Sequence, residues 1–467
     1  MVADLKIVEL QTRLDAVNPK TLPDTDVANA KRLVARHGES MRYTPSRGWF
    51  HWDGKRWAAD EKGVKVQALA VDTAVSIFDE IRDSFDRDAM MSHAKRSQSR
   101  KSIEAMVVLA RSEPGVAVDL TDFDSDPWLF NVNNGTLDLR TGELREHSRE
   151  DLISKLSPVA YDPDAEFELW DAFLTRVCGG QDDLYSYLRR LVGYLLTGKT
   201  VEQVLHFLFG LGANGKSVFC EIMAQLLGDY AQIAAPELVM ARRHGGIPND
   251  IARLYGARVA FMNETSQGSR FDEAKLKDLT GGDSLTGRFL HAEFFDFVPT
   301  HKLVIRGNHK PTISGNDEGI WRRLRLVPFT VQIPADEQDR HLIEKLSGEL
   351  PGILRWAVQG CREWQQDGLN PPAVITDAVK AYREESDVLG RFIDEYCEVS
   401  KLGQVKSSVF FQRYQQFAEQ AGERWAPSKD LPAEMQRRGF IWKRTNQSSM
   451  YLGIELRNEI GANWSGE

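Results

Sequence analysis

The chain has 467 residues, 42% of them hydrophobic and 27% charged, which is typical of a globular protein with room for roughly two to four domains. No stretch reaches the roughly eighteen consecutive apolar residues of a membrane span, and the N-terminus lacks the layout of a secretion signal, so we expect a cytoplasmic protein without a membrane partner. The net charge of −9 argues against a protein that coats nucleic acid with its whole surface, but it allows a basic channel on an acidic body. The four cysteines are scattered, which favours a reducing compartment over a zinc site or a disulfide framework.

Residues 1–150 are predicted to form a separate α+β domain. Two turn signals, Asp53-Gly54 and Asn134-Gly135, each lie between apolar runs and predict β-hairpins. Helical periodicity covers residues 64–86 and 100–110. The aromatic residues near the first hairpin are interpreted as core, with a base-stacking platform as the alternative.

A basic cluster lies in the same domain. It is predicted to be solvated surface, with contact to nucleic acid as the alternative. Its members are Lys95, Arg96, Arg100 and Lys101.

Residues 151–200 then carry two amphipathic helical patterns, one containing Trp170 and Phe173 and the next ending near Gly198. We interpret this stretch as a helical collar or linker.

The octapeptide GLGANGKS, Gly210 to Ser217, fits the phosphate-binding pattern G-x-x-x-x-G-K-[ST]. An apolar strand precedes it and a helical pattern follows it, which is the arrangement that points backbone N–H groups and a helix N-terminus at a phosphate chain. The pattern therefore predicts a nucleoside triphosphate site. Its predicted binding residues are Gly210, Gly212, Ala213, Asn214, Gly215, Lys216, Ser217 and Val218. Lys216 is expected to reach the β- and γ-phosphates, and the Ser217 hydroxyl to bind Mg²⁺.

Residues 201–330 alternate apolar strands with helices, which indicates an α/β sheet covered on both faces. Two of these strands end in polar residues, one at Asn263-Glu264 and one at Asn308. Because chemistry gathers at the carboxyl ends of parallel strands, both ends are expected beside the phosphate loop. Glu264 is the candidate for the acid near the metal and the attacking water, and Asn308 for the group that orients the water.

Two further stretches of this region carry candidate residues. Arg322 and Arg323 are either surface ion-pair formers or, in an oligomer, a source of positive charge for the active site of a neighbouring subunit. Residues 279–291 could form a β-hairpin that presents basic and aromatic side chains to a DNA strand. These side chains are Arg288, Phe289 and His291.

The last predicted segment, residues 386–467, combines two helices with a pair of strands around a polar turn. This is the outline of a winged-helix DNA-binding domain, although such units also serve as protein-contact modules. Its candidate DNA-binding residues are Arg437, Arg438, Lys443 and Arg444.

Several ordered motifs together resemble the superfamily 3 DNA helicases, and in particular the primase-helicase branch found in phages, plasmids and large DNA viruses. They are GLGANGKS, the strand end Asn263-Glu264-Thr265, LTGGD followed by GRFL, Lys302, Asn308-His309-Lys310-Pro311 and IWRR. The upstream segment DPWLFNVNNGTLDLRTGEL resembles the domain that precedes the helicase in that branch. The resemblance covers residues 40–455.

The resemblance implies an AAA+-like P-loop ATPase, residues 201–385, that uses ATP and Mg²⁺ and forms a homo-oligomer, expected to be a hexamer, around single-stranded or forked DNA. It places the Walker A residues on Lys216 and Ser217, the Walker B acid on Glu264, the sensor on Asn308, the arginine finger on Arg322 or Arg323, and the pore hairpin around residues 288–291. Many members carry two acids at Walker B, whereas the first position here is Asn263. No primase active site is evident, so the chain resembles the helicase half, with a primase or polymerase as a candidate partner.

We therefore predict an ATP-dependent, ring-shaped DNA helicase of phage or plasmid replication that acts in the cytoplasm, or the host cytoplasm if it is phage-encoded. The alternative is a nucleotide-gated origin-binding or loading protein without processive unwinding. A small-molecule P-loop kinase is a third possibility, but it gives no reason for the polar sensor strand or the arginine pair.

Overall fold

The computed structural model of the chain describes residues 22–241, 248–263, 269–289, 293–313, 318–422, 425–444 and 448–457. These residues pack into two compact units, the first comprising residues up to Pro311 together with Arg322–Val374, and the second comprising Thr312–Trp321 and Ile375 onward. Within the described ranges, no helix is long and apolar enough to cross a membrane.

The N-terminal part of the first unit is an α+β arrangement. Its helices are α1 (Asp26–His37), α2 (Val64–Glu80), α3 (Arg87–Ser97) and α4 (Arg100–Ala110). Its strands form two antiparallel three-stranded sheets, one of β1 (Met41–Thr44), β2 (Gly48–Trp52) and β3 (Trp57–Ala59), the other of β4 (Leu129–Val132), β5 (Gly135–Asp138) and β6 (Glu143–Arg145). Both predicted hairpins are confirmed, and Trp49, Phe50 and Trp57 are buried as predicted core.

Two local predictions in this part were wrong in detail. The helix predicted over residues 64–86 ends at Glu80, because Asp86 accepts a hydrogen bond from Ala89 N and caps a new helix, α3. The first hairpin turns over four residues rather than two, because the Asp53 carboxylate accepts hydrogen bonds from the N–H groups of Lys55 and Arg56.

A parallel five-stranded sheet forms the centre of the first unit, in the order β13-β7-β12-β9-β8. Its strands are β7 (Leu205–Phe209), β8 (Ala231–Ala234), β9 (Val259–Met262), β12 (Lys302–Gly307) and β13 (Leu324–Pro328). Four of the strands are almost wholly buried, as expected for a parallel sheet with helices on both faces, whereas β8 at the edge of the sheet is only partly buried. This confirms the predicted α/β core.

The remaining elements of the first unit surround this sheet. The helices are α5 (Glu168–Val177), α6 (Asp182–Leu196), α7 (Lys216–Leu227), α8 (Pro248–Ala252), α9 (Glu273–Gly281), α11 (Leu342–Gly348) and α12 (Leu350–Asp367). A separate antiparallel hairpin consists of β10 (Leu285–Arg288) and β11 (Phe294–Phe297). A hairpin thus lies between the two polar-ended strands, as predicted, but it spans residues 285–297 rather than 279–291, because residues 279–281 belong to α9.

A buried arginine joins three segments of the first unit. Arg258, 5% exposed, donates hydrogen bonds to the carbonyl oxygens of Leu196, at the end of α6, and of Leu129, at the start of β4. Its guanidinium also lies 4.4 Å from the centroid of the Tyr230 ring. Burial lowers the pKa of Arg258, and these carbonyl and ring contacts offset the hydration that its charge loses.

The second unit contains helices packed on an antiparallel three-stranded sheet of order β14-β16-β15. Its elements are α10 (Glu318–Trp321), most of α13 (Ala373–Ser386), α14 (Val388–Tyr396), β14 (Cys397–Lys406), α15 (Ser407–Gln420), α16 (Leu431–Arg437), β15 (Ile441–Arg444) and β16 (Ser449–Leu456). The two predicted helices and the predicted strand pair are confirmed. Helix α14 and strand β14 were not predicted, and they supply Phe392 and Val405 to the core of this unit.

Close packing of α6 against α12 yields a test of the fold. A Cβ atom added at Gly193 of α6 would lie 2.0 Å from the backbone nitrogen of Cys361 in α12, so the two helices would have to separate. We expect Gly193→Ala to lower the free energy of unfolding by about 1–3 kcal/mol, measured by urea denaturation.

Gly348→Ala is the matched control, because a Cβ atom there meets nothing within 4 Å. It should change the free energy of unfolding by less than about 1 kcal/mol, the size of the gain in helix propensity. Equal effects of the two substitutions would contradict the close approach of α6 and α12.

Candidate functional site

The predicted phosphate loop connects β7 to α7 and has the conformation of a tight cradle. Gly212, Ala213 and Gly215 have positive φ angles of 65°, 45° and 84°, a region that glycine adopts without steric cost and alanine rarely adopts. A Cβ atom at Gly210 would lie 2.0 Å from the carbonyl oxygen of Phe329, so this glycine is required by close packing. The loop is thus fixed both by its own backbone and by the segment after β13.

Lys216 begins α7, and its ammonium group lies inside the loop. The residue is 6% exposed, and Nζ donates hydrogen bonds to Gly210 O at 2.6 Å, Asn214 Oδ1 at 3.0 Å and Asn308 Oδ1 at 3.2 Å. The Asn214 amide donates in turn to Phe329 O at 2.8 Å. A phosphate oxygen brought to this ammonium group would accept a charge-assisted hydrogen bond, which is stronger than one to a neutral acceptor.

Parallel pairing brings the polar strand ends to the same edge of the sheet. Strand β12 pairs with β7 so that Gly307 lies opposite Phe209, and it also pairs with β9, which Asn263 follows. Asn308 and Asn263 therefore lie beside the phosphate loop, as predicted. Glu264 lies outside the described residues.

The loop forms one wall of a cleft of about 670 Å³, within the range of small-molecule sites. Besides residues 212–218, the cleft is lined by side chains from α5 and from residues 333–342. The apolar members of these walls are Leu169, Phe173, Ile333 and Leu342. Such a wall suits the planar base of a nucleotide.

An ion pair links the two walls of this cleft. Arg176 Nη2 of α5 lies 2.8 Å from Glu337 Oε2, although the two residues are 161 positions apart in the chain. Neither these two residues nor the apolar wall was predicted from the sequence. Arg306, which also lines the cleft, could have been noticed as a charge inside an otherwise apolar strand.

The cysteine next to the loop is not a reactive thiol. Cys220 is 7% exposed, and burial raises its pKa to about 12. Within the described ranges, no cluster of three or more His, Cys, Asp or Glu side chains is suited to hold a metal ion. The one metal-binding residue of the prediction that the structure describes is Ser217, which is exposed and lines the cleft.

The two candidate arginines occupy different environments at the opposite edge of the sheet. Arg322 is exposed, whereas Arg323 is 9% exposed and its Nε donates to Thr280 Oγ1 at 3.1 Å. Both precede β13, whose first residue, Leu324, pairs with the first residue of β7. Since the phosphate loop follows the last residue of β7, Arg322 lies roughly 20 Å along the strand direction from the loop of its own chain.

Two of the three predicted pore residues lie on or next to the β10–β11 hairpin within the described residues. The exposed Arg288 lies over the Phe294 ring at 5.0 Å, and Phe289 stacks on Phe295 with ring centroids 5.0 Å apart. Phe289 is thus already packed on one face. His291 lies outside the described residues.

The candidate residues of the second unit differ in their contacts. Arg437 is exposed and pairs with Glu434 at 2.9 Å. Arg438 is less accessible, because it donates to both carboxylate oxygens of Asp387 at 2.8 and 3.0 Å, which ties the end of α16 to the start of α14. Lys443 and Arg444 are exposed on β15.

Comparisons with known proteins agree with these features. Residues 30–179 match the family model described as D5 N terminal like, and residues 208–323 match a family of unknown function, DUF5906. The candidate helicase L207/L206 of Acanthamoeba polyphaga mimivirus is 27% identical over 300 residues, which is 59% of this chain and 31% of that protein. The candidate primase C962R of African swine fever virus (isolate Tick/Malawi/Lil 20-1/1983) is 28% identical over 301 residues, or 58% of this chain and 31% of that protein.

The candidate helicase 022R of Frog virus 3 is 26% identical over 358 residues, or 58% of this chain and 36% of that protein. The chain thus spans about a third of the length of these relatives. Among solved structures, the C-terminal region of NrS-1 in its apo A form aligns with 76% of this chain and 90% of its own, at 10% identity and a TM-score of 0.42, too low to carry an argument. The sequence matches support a relationship to the primase-helicase family of phages and viruses.

The Asn214 side chain offers a test of how the loop is held. It is 4% exposed and joins Phe329 to Lys216, so Asn214→Ala should leave a buried carbonyl without its donor. We expect the free energy of unfolding to fall by about 1–3 kcal/mol in urea denaturation.

Leu211→Ala in the same loop is the control, because Leu211 is 79% exposed. Its free energy of unfolding should stay within about 0.5 kcal/mol of the unsubstituted protein. A neutral Asn214→Ala would show that this side chain does not hold the loop in solution.

Proposed function

We propose that this protein is an ATP-dependent DNA helicase that acts as a ring-shaped oligomer in viral or phage replication. The observation that carries the proposal is the meeting of Lys216 and Asn308 at one edge of the parallel sheet, 3.2 Å apart and inside a glycine-rich loop. The names of the viral relatives, helicase and primase, support the same class of activity. Because the chain spans about a third of those proteins, its own activity must be tested directly.

The strand order supports an AAA+-like core. The five core strands, β7, β8, β9, β12 and β13, can be numbered one to five in chain order. Side by side in the sheet, they then lie in the order five, one, four, three, two. The phosphate loop follows the first of these strands and Asn308 follows the fourth, so both lie at adjacent positions of the sheet. This arrangement allows one polar side chain to monitor the terminal phosphate that Lys216 binds.

The residues around the loop suit a magnesium nucleotide. The loop backbone and Lys216 would bind the phosphate chain, and Leu169, Phe173, Ile333 and Leu342 would enclose the base. Ser217 and Glu264 would hold Mg²⁺, which when bound offsets negative charge on the phosphates. Asn308 would orient the attacking water, and Glu264 would accept its proton.

Arg322 is the proposed finger, supplied to the site of a neighbouring subunit. Its exposure and its place at the sheet edge away from the loop support action on another copy rather than on its own site. Arg323 instead donates a hydrogen bond to Thr280 of its own chain. Nucleotide cleavage would then be coupled to contact between subunits, which the motor proposal requires.

DNA would be bound at the β10–β11 hairpin and in the second unit. Arg288 is exposed on the hairpin and suits a phosphate contact. In the second unit, the order α14, β14, α15, α16, β15, β16 and the sheet order β14-β16-β15 support a winged-helix-like domain. Arg437, Lys443 and Arg444 are its exposed candidates for DNA contact, whereas the ion pair of Arg438 with Asp387 favours a structural role.

The catalytic assignment predicts loss of ATPase activity in two variants. Lys216→Ala removes the charge that binds the phosphates, and Glu264→Gln removes the proton acceptor, so each should reduce DNA-stimulated ATP hydrolysis at least about 100-fold. The rate of phosphate release in the presence of single-stranded DNA measures the ATP hydrolysis of each variant. Normal turnover by Glu264→Gln would refute its assignment.

ATPase activity without strand displacement on forked DNA would favour the loading protein instead.

Mixing of inactive variants tests whether Arg322 acts on a neighbour. Arg322→Ala alone should lose roughly 10³-fold or more in ATPase rate. When Arg322→Ala and Lys216→Ala subunits are mixed, some interfaces combine an intact loop with an intact arginine, so activity should reappear.

The control mixture contains Lys216→Ala and the double variant that carries both substitutions. It has no intact loop and should stay inactive. Absence of recovery in the first mixture, in oligomers shown to exchange subunits, would refute a finger in trans.

A further inference from the structure

A second cleft lies in the N-terminal part of the first unit, far along the chain from the phosphate loop. We call it the β2–α4 cleft, and its volume of about 540 Å³ is sufficient for one nucleotide. The lining residues that matter here are Tyr43, Arg47, Trp49, Lys62, Val107 and Arg111. They come from the β1–β2 hairpin, the turn before α2, and α4 with the residue after it.

The cleft contains a buried donor without an acceptor. Trp49 is 5% exposed, and its indole N–H has no hydrogen-bond partner among the described residues. The pyrrole edge of the ring faces Gly63, where an added Cβ atom would lie 3.3 Å from Cδ1 and 3.9 Å from Nε1. Because a buried N–H is normally paired, this donor calls for an acceptor that enters from the cleft.

Three basic side chains and three carboxylates line the cleft, and the basic side chains are the charges left available to an anion. Arg47, Lys62 and Arg111 line it, and none of them forms an ion pair with a described residue. Two of the three lining carboxylates already have partners. Asp60 accepts hydrogen bonds from the N–H groups of Lys65 and Val66, and Glu104 pairs with Arg100 at 2.7 Å. Glu61 is the one lining acid without such a contact in the part of the chain that the structure describes.

The aromatic wall is rigid. The Tyr43 and Trp49 rings meet edge to face with centroids 5.1 Å apart, and the Arg111 guanidinium lies 5.1 Å from the Tyr43 ring. The backbone of Tyr43 is held by hydrogen bonds to Val116 O at 2.7 Å and from Val118 N at 3.0 Å. A planar base can stack on such a wall at little cost in conformational entropy.

The cleft adjoins the β10–β11 hairpin. The Arg47 guanidinium lies over the Phe289 ring, 4.4 Å from its centroid, so one residue lines the cleft and also contacts the hairpin. Both lie in the same compact unit. A strand bound at Arg288 would therefore have a nearby positively charged surface on which to continue.

We propose that the β2–α4 cleft binds one nucleotide unit, with its base stacked on Tyr43, the edge of the base toward the indole N–H of Trp49, and its phosphate at Lys62 and Arg111. A base oxygen or ring nitrogen accepts the hydrogen bond of the Trp49 indole. The unit belongs to a single DNA strand that also passes the hairpin, and this part of the inference rests on the proposed helicase function.

The test measures binding of fluorescein-labelled oligo(dT) to the full chain by anisotropy, without ATP. Arg111→Ala and Lys62→Ala should each weaken binding about five- to tenfold at 0.1 M salt and reduce the slope of log K against log salt by about 0.7. Trp49→Phe keeps an aromatic ring but loses the donor, so it should weaken binding about two- to tenfold with an unchanged slope. Arg82→Ala, an exposed arginine of the same part that does not line the cleft, is the charge-matched control and should bind normally.

A second arm with dTMP separates the two sources of a nucleotide. Binding of dTMP that is weakened by Arg111→Ala would assign the cleft to free nucleotides as well, whereas an effect on oligo(dT) alone would assign it to a strand. If Arg111→Ala, Lys62→Ala and Trp49→Phe all match Arg82→Ala in both arms, the cleft proposal is overturned. Because no ATP is present, this result is distinct from failure of the helicase proposal, which would appear as an ATPase rate that DNA does not change.

Discussion

The residue-by-residue parallel pairing of β12 with both β7 and β9 is the constraint on which the site depends. Because these three strands run in the same direction and in register, the residues after them emerge at one edge of the sheet. Lys216 and Asn308, 92 positions apart in the chain, come within 3.2 Å of one another for this reason. Strand β7 also pairs in parallel with β13. Because Arg322 precedes β13, it lies at the opposite edge of the sheet. One sheet thus separates the group that we propose to bind phosphate from the group that we propose to act on a neighbour.

The features that follow from local sequence were predictable. The phosphate loop, its flanking strand and helix, and the polar strand ends depend on glycine positions and short apolar runs, and these are visible without knowledge of the fold. The hairpins were predictable for the same reason, although the length of the first turn depended on which N–H groups the Asp53 carboxylate accepts from. The α/β core followed from the alternation of strands and helices.

The features that depend on contacts between distant segments were not predictable. Arg176 and Glu337 are ordinary surface charges in the sequence, and only the folded chain shows that they form an ion pair across the cleft beside residues 212–218. The adjacent residues Arg322 and Arg323 are equivalent by pattern, yet packing against Thr280 buries one and leaves the other exposed. The β2–α4 cleft likewise depends on how α4 and the turn before α2 meet the first hairpin. An aromatic core and an aromatic wall have the same sequence signature.

Arg258 has a consequence for how this chain can be divided. Its buried guanidinium is balanced by carbonyl oxygens of β4 and of α6, which belong to the segments predicted as an N-terminal domain and as a collar. Removal of those segments would take away both acceptors and uncover Arg258 to water, together with the apolar surface that these segments now bury. A shortened chain that begins near residue 200 is therefore expected to be poorly soluble, because the apolar surface that β4 and α6 now cover would face water. The N-terminal part is thus an integral layer of the first unit rather than an exchangeable attachment.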